Sequence, residues 1–389
     1  MKKVIDMGTV TISPFQKELV NLSLDNNRLS YGKMTQGFEK KWAELHEVKY
    51  ALFCNSGTSA LQVALHALKQ KYEWNDGDEV IIPATTFVAT MNIILHNNMK
   101  PVFVDVDEYF NIDPDLIEKS ISGKTKAIIV VHLLGQPAQM DKIMEIAGKH
   151  KLKVIEDSCE TVGATFQGKS VGAWGDVSCF STYASHLVVT GVGGFACTND
   201  ADLATRIKGL YNHGRDGIYH SIDDDDKDSL KVIANRFNFI HLGYSYRATE
   251  LEAALGLGHL VRFKQELKER QENADYLIKG LVHLEEKGLI KLPKTHPKAS
   301  HSFMLFGILA KHRNELMVFL EKNGIMTRYL MPLLNQPIVR DLYGNIRSDF
   351  PVSDNLLSKG LLIGVHPELT KKDLDYVIKK LHEFYDKTI

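Results

Sequence analysis

The sequence predicts an α/β protein with a large, doubly wound, mostly parallel sheet domain and a smaller α+β domain after it. From about residue 48 to 200, short β-branched runs alternate with helical patterns, which is typical of a parallel sheet with crossover helices. Several of the runs are apolar on both faces, as buried parallel strands are. After a long helical pattern at 250–281, a shorter alternation begins again.

The strands of the large domain are expected where apolar runs lie between turn residues. In chain order these runs are 49–54, 79–83, 101–106, 126–134, 153–157, 176–181 and 193–199. Helical patterns at 58–70 and 138–150 lie between them. Because ligands bind at the carboxyl ends of the strands in such sheets, the polar residues that follow each strand are candidates for a site.

The smaller domain is expected to follow the long helix. Its predicted elements are a strand at 301–309, a helix at 313–323, a strand at 324–330 and a terminal helix from about residue 370. We place the domain boundary inside the long helix, so that residues 1–255 form the large domain and 256–389 the small one. Between the two patterns, the acidic run HSIDDDDKDSL at 220–230 is expected to be a solvated loop or an interface flap.

Composition excludes several classes of function. The formal net charge is -1 and the 47 basic residues are scattered, so neither nucleic acid nor a membrane surface is indicated as a partner. No segment approaches the roughly 20 apolar residues of a membrane span. The start MKKVIDMGTVTISPFQ predicts no signal peptide, so a cytoplasmic location is expected. The four cysteines form no CxxC pair, which argues against a metal site and a disulfide framework.

The first candidate site is NSGTSA at 55–60, between a predicted strand and a predicted helix. A glycine there lets backbone N–H groups approach an anion, and the helix N-terminus adds its partial positive charge. Thr58 or Ser59 would add a hydroxyl donor. Helix capping is the alternative explanation for these residues. A Walker motif is excluded, because no GK[ST] follows.

The second candidate is EDSCE at 156–160, at the end of an apolar strand. A charged group at a buried strand end needs a partner or has a chemical task. Asp157 suits a pyridinium nitrogen, whose protonation makes the ring an electron sink. Helix capping by Asp157 is the structural alternative.

The third candidate is STYASHLVVTGVGG at 181–194, which joins two predicted strands. It contains two serines, a histidine and a glycine-rich turn. A lone histidine is more often a core or loop residue than a catalyst, so its neighbours have to carry the argument.

These segments, together with GYSYR at 243–247, resemble the DegT-type sugar aminotransferases. The resemblance covers about residues 13 to 385, with the motifs in the family's order and approximate spacing. It implies the fold of type I pyridoxal-phosphate (PLP) enzymes and a homodimer. It also implies that residue 245 reaches the phosphate of the partner subunit's cofactor, where this chain has Ser245 in place of the family's usual Asn.

The same resemblance assigns roles around the cofactor. Gly57, Thr58 and Ser181 would hold its phosphate. Phe87 would stack on its ring, and Asp157 would pair with the ring nitrogen.

His186 stands where the family has its Schiff-base lysine, counted forward from Ser181 and backward from Gly193-Gly194. An imidazole cannot hold the cofactor covalently, but it can move protons near neutral pH. The exchange resembles a subgroup, the sugar 3-dehydratases that depend on pyridoxamine phosphate (PMP) and bind it noncovalently. Leu187 and Val192 depart from that subgroup, which often has a second His and a Glu there.

Four further details favour the subgroup. Glu160, expected at the cofactor, replaces the Gln or His of the aminotransferases. The others are the pairs Ser185-His186 and Thr327-Arg328 and the segment Gly364-Val365-His366.

One branch of these dehydratases carries an iron–sulfur cluster, with cysteines after the stretch that here reads GRD at 214–216. This chain has no cysteine after Cys197. We therefore predict no cluster and no metal.

The resemblance implies C3 dehydration of a nucleotide-linked 4-keto-6-deoxyhexose, in deoxysugar and lipopolysaccharide (O-antigen) biosynthesis. His186 would act as the base, and L-glutamate would regenerate PMP. His213 and Arg328 are candidates for substrate or glutamate contacts, with a surface ion pair as the alternative for Arg328. The other hypotheses are a DegT-type nucleotide-sugar aminotransferase and a noncatalytic cofactor-binding paralogue. Neither the nucleotide nor the hexose can be read from the sequence.

Overall fold

The computed structural model of the chain describes residues 4–216, 237–331 and 333–388. In them the strands form a seven-stranded sheet, a four-stranded sheet and a short two-stranded ribbon. Helices lie between most of the strands, so the predicted α/β class is confirmed. The acidic run at 220–230 lies outside the described residues.

The large sheet contains seven strands between residues 50 and 198. They are β1 (Tyr50–Cys54), β2 (Glu79–Pro83), β3 (Lys100–Val104), β4 (Thr125–Val131), β5 (Lys153–Asp157), β8 (Val177–Ser181) and β9 (Gly194–Thr198), while the ribbon is β6 (Thr165–Phe166) and β7 (Lys169–Ser170). The order across the sheet is β1-β9-β8-β5-β4-β2-β3. Only β9 runs antiparallel to its neighbours, β1 and β8, and the other pairs are parallel.

Helices cover both faces of this sheet. They are α1 (Pro14–Asp25), α2 (Lys33–Leu45), α3 (Gly57–Lys71), α4 (Val88–His96), α5 (Pro114–Ile117), α6 (Met140–His150) and α7 (Ala201–Tyr211). Successive residues of a strand point to opposite faces. In β5, Ile155 packs in the core that contains α3 and α4, and Val154 packs in the core that contains α6. Two apolar faces explain why these strands read as continuous apolar runs.

The second sheet lies beyond a 37-residue helix, α8 (Glu250–Glu286), whose N-terminus has a capping box of Thr249 and Glu252. Its antiparallel strands follow the order β10-β11-β13-β12. The elements are β10 (Ile290–Lys291), β11 (Phe306–Ala310), α9 (Arg313–Lys322), β12 (Arg328–Tyr329), α10 (Pro337–Tyr343), α11 (Pro351–Lys359), β13 (Gly360–Ile363) and α12 (Lys371–Thr388).

Several element boundaries differ from the sequence prediction. The strand predicted at 126–134 ends at Val131, because residues 133–135 turn as a short 3-10 segment in which Leu134 has a φ of 56°. Several elements were not predicted, namely the helices α1, α2, α4, α5, α7, α10 and α11 and the strands β6, β7, β10 and β13. Helix α1 has its own sequence signal, a capping box of Ser13 and Gln16 with a proline between them at the first helical position.

The N-terminal residues pack against the second sheet. The Ile5 N–H donates to the Gly324 carbonyl at 2.8 Å, and Met326 N–H donates to the Ile5 carbonyl at 3.0 Å. The division into 1–255 and 256–389 remains a prediction. Among the helices of the described ranges, none combines the length and the apolar character that crossing a bilayer requires.

Candidate functional site

Seven residues of the predicted site border one cavity at the carboxyl ends of strands in the large sheet. The cavity has a volume of about 370 Å³, within the range of pockets that bind small molecules and cofactors. The predicted residues on its wall are Gly57, Thr58, Phe87, Asp157, Glu160, Ser181 and His186. The strand order therefore brings together segments that are up to 129 positions apart in the sequence (57 to 186).

The turn after β1 presents the N-terminus of α3 to this cavity. Ser56 caps the helix, since its Oγ accepts a hydrogen bond from the N–H of the third helical residue at 3.0 Å. Ser56 is therefore the residue that caps α3, while Thr58 lines the cavity. A Cβ at Gly57 would lie 2.7 Å from Cys159 Sγ and 2.9 Å from Ser181 Cβ. A glycine is therefore needed for this close packing. The N-terminus of α3 lies on the cavity wall, where the N–H groups of a helix can bind an anion.

Asp157 lies at the end of β5 with its side chain in the cavity wall. Thr90 Oγ1 donates to Asp157 Oδ2 at 2.9 Å, and the Cys159 N–H donates to Oδ1 at 3.3 Å. Burial raises the pKa of Asp157 above its usual value, because the carboxylate has lost water. A cationic ring nitrogen beside it would supply the missing stabilisation.

Glu160 is a second buried carboxyl on the same wall. The Leu134 N–H, in the turn that ends β4, donates to Glu160 Oε2 at 2.8 Å. Burial raises the pKa of Glu160 to about 7, and the nearby charge of Asp157 acts in the same direction. This carboxyl can therefore hold or release a proton near neutral pH.

His186 lies half-buried in the loop between β8 and β9. Its backbone N–H donates to the Tyr183 carbonyl at 2.9 Å. Its Nδ1 is buried and has no hydrogen-bond partner among the described residues. Burial lowers the pKa of His186 to about 4, so the ring is uncharged at neutral pH and free to accept a proton.

The first acidic residue of EDSCE has a structural partner that the sequence did not reveal. Glu156 and His132 are both fully buried, with Oε2 and Nε2 3.1 Å apart. The Ala138 N–H donates to His132 Nδ1 at 3.0 Å, so Nε2 carries the proton and donates it to Glu156. Glu156 also accepts from the N–H groups of residues 172, 174 and 175. The pair fixes the strand end that carries Asp157.

Three described residues of the predicted site lie outside the cavity wall. Ser245 and His213 are both held by Arg247, which donates to Ser245 Oγ at 3.0 Å and lies 2.9 Å from His213 Nε2. All three are exposed. Arg328 is exposed on β12 and donates to the Thr327 carbonyl at 2.7 Å. The roles of Ser245, His213 and Arg328 therefore remain predictions.

The cavity fits a pyridoxal-type cofactor. It combines an anion cradle at a helix N-terminus, a buried carboxylate that suits a ring nitrogen, and the exposed ring of Phe87 on the wall. Lysine does not occur among the described residues that line the cavity. Within the described ranges, no group of three or more His, Cys, Asp or Glu side chains is placed to hold a metal ion.

Comparison with known proteins gives a consistent family. The profile of the DegT/DnrJ/EryC1/StrS aminotransferase family matches residues 11–382. The lipopolysaccharide biosynthesis protein RfbH of Salmonella typhimurium is 34% identical over 388 residues, which cover 94% of this chain and 88% of RfbH.

Solved structures of two kinds match the fold equally well. An aminotransferase from Psychrobacter cryohalolentis has a TM-score of 0.87 and 28% identity, covering 97% of this chain and 98% of that one. An Escherichia coli GDP-4-keto-6-deoxy-D-mannose-3-dehydratase with bound hydrated PLP has a TM-score of 0.87 and 25% identity, covering 97% and 99%.

Proposed function

The chain belongs to the DegT/DnrJ/EryC1/StrS aminotransferase family, and from that membership we propose that it is a PLP/PMP-dependent enzyme that removes the C3 hydroxyl of a nucleotide-linked 4-keto-6-deoxyhexose. One observation carries the proposal. His186 lines the cofactor cavity, and lysine does not occur among the described lining residues. Among these described lining residues there is a proton acceptor but no amine that could bind the cofactor covalently.

The residues of the cavity would hold the cofactor by separate contacts. Gly57, Thr58 and Ser181 would bind the phosphate at the N-terminus of α3. Phe87 would stack on the ring, and Asp157 would keep the ring nitrogen protonated. When bound as PMP, the cofactor would supply an amine for the C4 ketone and a ring that withdraws electrons.

His186 would act as the base that accepts a proton during the dehydration. Its uncharged imidazole can take a proton from the carbon that bears the cofactor amine. The negative charge of a bound phosphate would favour the protonated ring and so oppose the lowering of the His186 pKa by burial. Glu160, with a pKa of about 7, would hold a second proton in the same cavity.

The remaining partners follow from the same hypothesis. L-glutamate would return the cofactor to its amine form, and His213 and Arg328 would contact the sugar or the glutamate. A homodimer would place Ser245 at the partner subunit's cofactor. We propose a cytoplasmic location, a place in the biosynthesis of lipopolysaccharide deoxysugars and no iron–sulfur cluster.

A sugar aminotransferase is the second candidate function. The similarity to the Psychrobacter cryohalolentis aminotransferase, at 28% identity, favours it about as strongly as the similarity to the dehydratase favours the first. The two candidates differ in their product. Dehydration removes an oxygen from the sugar, whereas transamination replaces the ketone by an amine.

The product therefore tests the proposal. Purified protein is incubated with PLP, L-glutamate and a panel of GDP-, CDP- and dTDP-linked 4-keto-6-deoxyhexoses, and the sugars are analysed by mass spectrometry. A product that lacks one oxygen and contains no added nitrogen supports dehydration. An amino sugar establishes the aminotransferase, and unchanged sugars together with tight PLP binding favour a noncatalytic role. His186→Asn, which removes the proton acceptor, is the control for His186-dependent chemistry.

Position 186 can be tested without a sugar. The variant His186→Lys is expected to bind PLP covalently, so that borohydride reduction adds the mass of the cofactor to the intact chain. The wild-type chain and His283→Lys, at an exposed position of α8 that does not line the cavity, should not gain that mass. An unlabelled His186→Lys variant would show that this position does not face the cofactor.

A further inference from the structure

Helix α8 presents a polar stripe to the loop that carries His186. His259, Arg262, Glu266 and Arg270 are spaced by three or four residues, which places them on one face of the helix. All four border a second, small cavity of about 40 Å³, together with His186. His186 thus stands between the cofactor cavity and this stripe.

His259 bonds directly to the backbone of the loop. The Val189 N–H donates to His259 Nδ1 at 3.1 Å. Because Nδ1 accepts, the neutral ring carries its proton on Nε2, which lies 2.8 Å from Glu266 Oε2. Arg262 Nε pairs with the other oxygen of Glu266 at 2.6 Å. His259 is 4% exposed, so its ring has little contact with water.

This bond ties the segment around His186 to a different element. Within the described residues, the other hydrogen bonds of 184–189 stay inside the loop: Ala184 N–H to the Gly191 carbonyl at 3.1 Å, and His186 N–H to the Tyr183 carbonyl at 2.9 Å. Val189 follows His186 by three positions. Its anchor on α8 therefore limits how far the imidazole can move between the two cavities.

We propose that His259 is a positioning residue for His186, held in its acceptor tautomer by Glu266 and bonded to the loop at Val189. The catalytic consequence rests on the proposed function of His186, but the anchoring of the loop does not. Glu266 has a pKa below its usual value because His259 and Arg262 stabilise its charge against the opposing effect of burial. The carboxylate is thus available to orient the ring.

Two amide variants separate the two bonds of the ring. His259→Asn places an amide oxygen near the position of Nδ1 and so can still accept from Val189. His259→Gln places its amide near the position of Nε2 and so can keep the bond to Glu266 but not the bond to Val189. The two variants match in charge and hydrogen-bonding groups, and they leave the cofactor cavity wall unchanged.

The test is amide hydrogen exchange of the cofactor-free protein, followed by mass spectrometry of peptides spanning 184–191. We expect exchange in His259→Gln to be faster by about tenfold or more, and exchange in His259→Asn to be close to that of the wild type. Equal exchange in all three proteins, or an equal increase in both variants, would overturn the proposal. If the His259 variants do not fold, Glu266 provides the test. Glu266→Gln keeps an acceptor for Nε2 and should stay near the wild type, whereas Glu266→Leu removes that acceptor and should exchange faster. Equal exchange in these two variants would also overturn the proposal.

Turnover then tests the link to His186. In His259→Gln we expect kcat to fall about tenfold or more, with KM and the Kd for the cofactor unchanged, since the anchor acts on a proton acceptor and not on binding. A rise in KM alone would contradict a positioning role. If no sugar reacts with the wild-type protein, the proposed function fails, whereas the exchange experiment still decides whether His259 anchors the loop.

Discussion

At the scale of single residues, burial sets the protonation of two groups that line the same cavity, His186 and Glu160. Burial lowers the pKa of His186 to about 4 and raises that of Glu160 to about 7. At neutral pH the histidine is therefore an uncharged acceptor, whereas Glu160 can gain or lose a proton near neutral pH. Pairs of titratable groups with pKa values moved in opposite directions are typical of acid–base sites.

Glu160 leads to a prediction about stability and pH. Its pKa is about 7 in the folded chain, against an ordinary value of 4.5, so the folded state holds the proton more tightly and stability falls as pH rises from about 4.5 to 7. Glu160→Gln removes this loss. The stability of the variant minus that of the wild type is expected to be larger at pH 8 than at pH 4.5, by on the order of 3 kcal/mol.

The measurement is urea unfolding of the cofactor-free proteins at pH 4.5 and at pH 8. A stability difference that is the same at both pH values would contradict the prediction. Glu79→Gln, at a partly exposed carboxylate on the opposite end of the sheet, is the control.

At the scale of single elements, the N-terminus of α3 depends on a glycine. A Cβ at Gly57 would lie 2.7 Å from Cys159 Sγ and 2.9 Å from Ser181 Cβ. Both distances are too short, so the segments that carry Cys159 and Ser181 would have to move. Gly57→Ala should therefore cost about 1–3 kcal/mol of unfolding free energy and weaken PLP binding, because it displaces the phosphate cradle.

A second glycine provides a matched control. Gly148 lies in α6, and a Cβ there meets nothing within 4 Å. Gly148→Ala should raise stability by about 0.5–1 kcal/mol and leave PLP binding unchanged. Chemical unfolding and fluorescence titration with PLP measure the two effects. Equal PLP affinities in the two variants would show that the α3 turn does not bind the phosphate.

At the scale of the whole molecule, Ser245, His213 and Arg247 form an exposed cluster that does not line the cofactor cavity of their own chain. If this cluster completes the partner subunit's site, two different defective chains should complement each other. Ser245→Asp, which would repel the phosphate, is expected to weaken cofactor binding about tenfold or more. His186→Asn is expected to remove the proton acceptor.

Mixed dimers of these two variants contain one site with an intact His186 and an intact Ser245. Random mixing should therefore recover about a quarter of the wild-type activity, measured after the two purified proteins are unfolded and refolded together. Activity that stays at the level of the separate variants would contradict a shared site. The same experiment with two His186→Asn samples is the control.

Much of the fold could be predicted from local patterns. The apolar runs at 79–83 and 153–157 coincide with β2 and β5. A strand that is buried on both faces needs apolar residues at nearly every position, so its extent can be read from the sequence. The strand predicted at 126–134 was too long, since the turn at Leu134 is set by contacts with segments distant in sequence and not by its own residues.

The sequence by itself determined the fold class and the polar residues at or after the ends of the buried strands, among them Asp157 and His186. The tertiary structure alone decided which residues share a cavity and which groups support them. Thr90 bonds to Asp157 from 67 positions away, and His259 bonds to Val189 from 70 positions away. Periodicity and propensity report interactions within a few residues of each other, whereas these partners meet only because the strand order and the long helix bring them together.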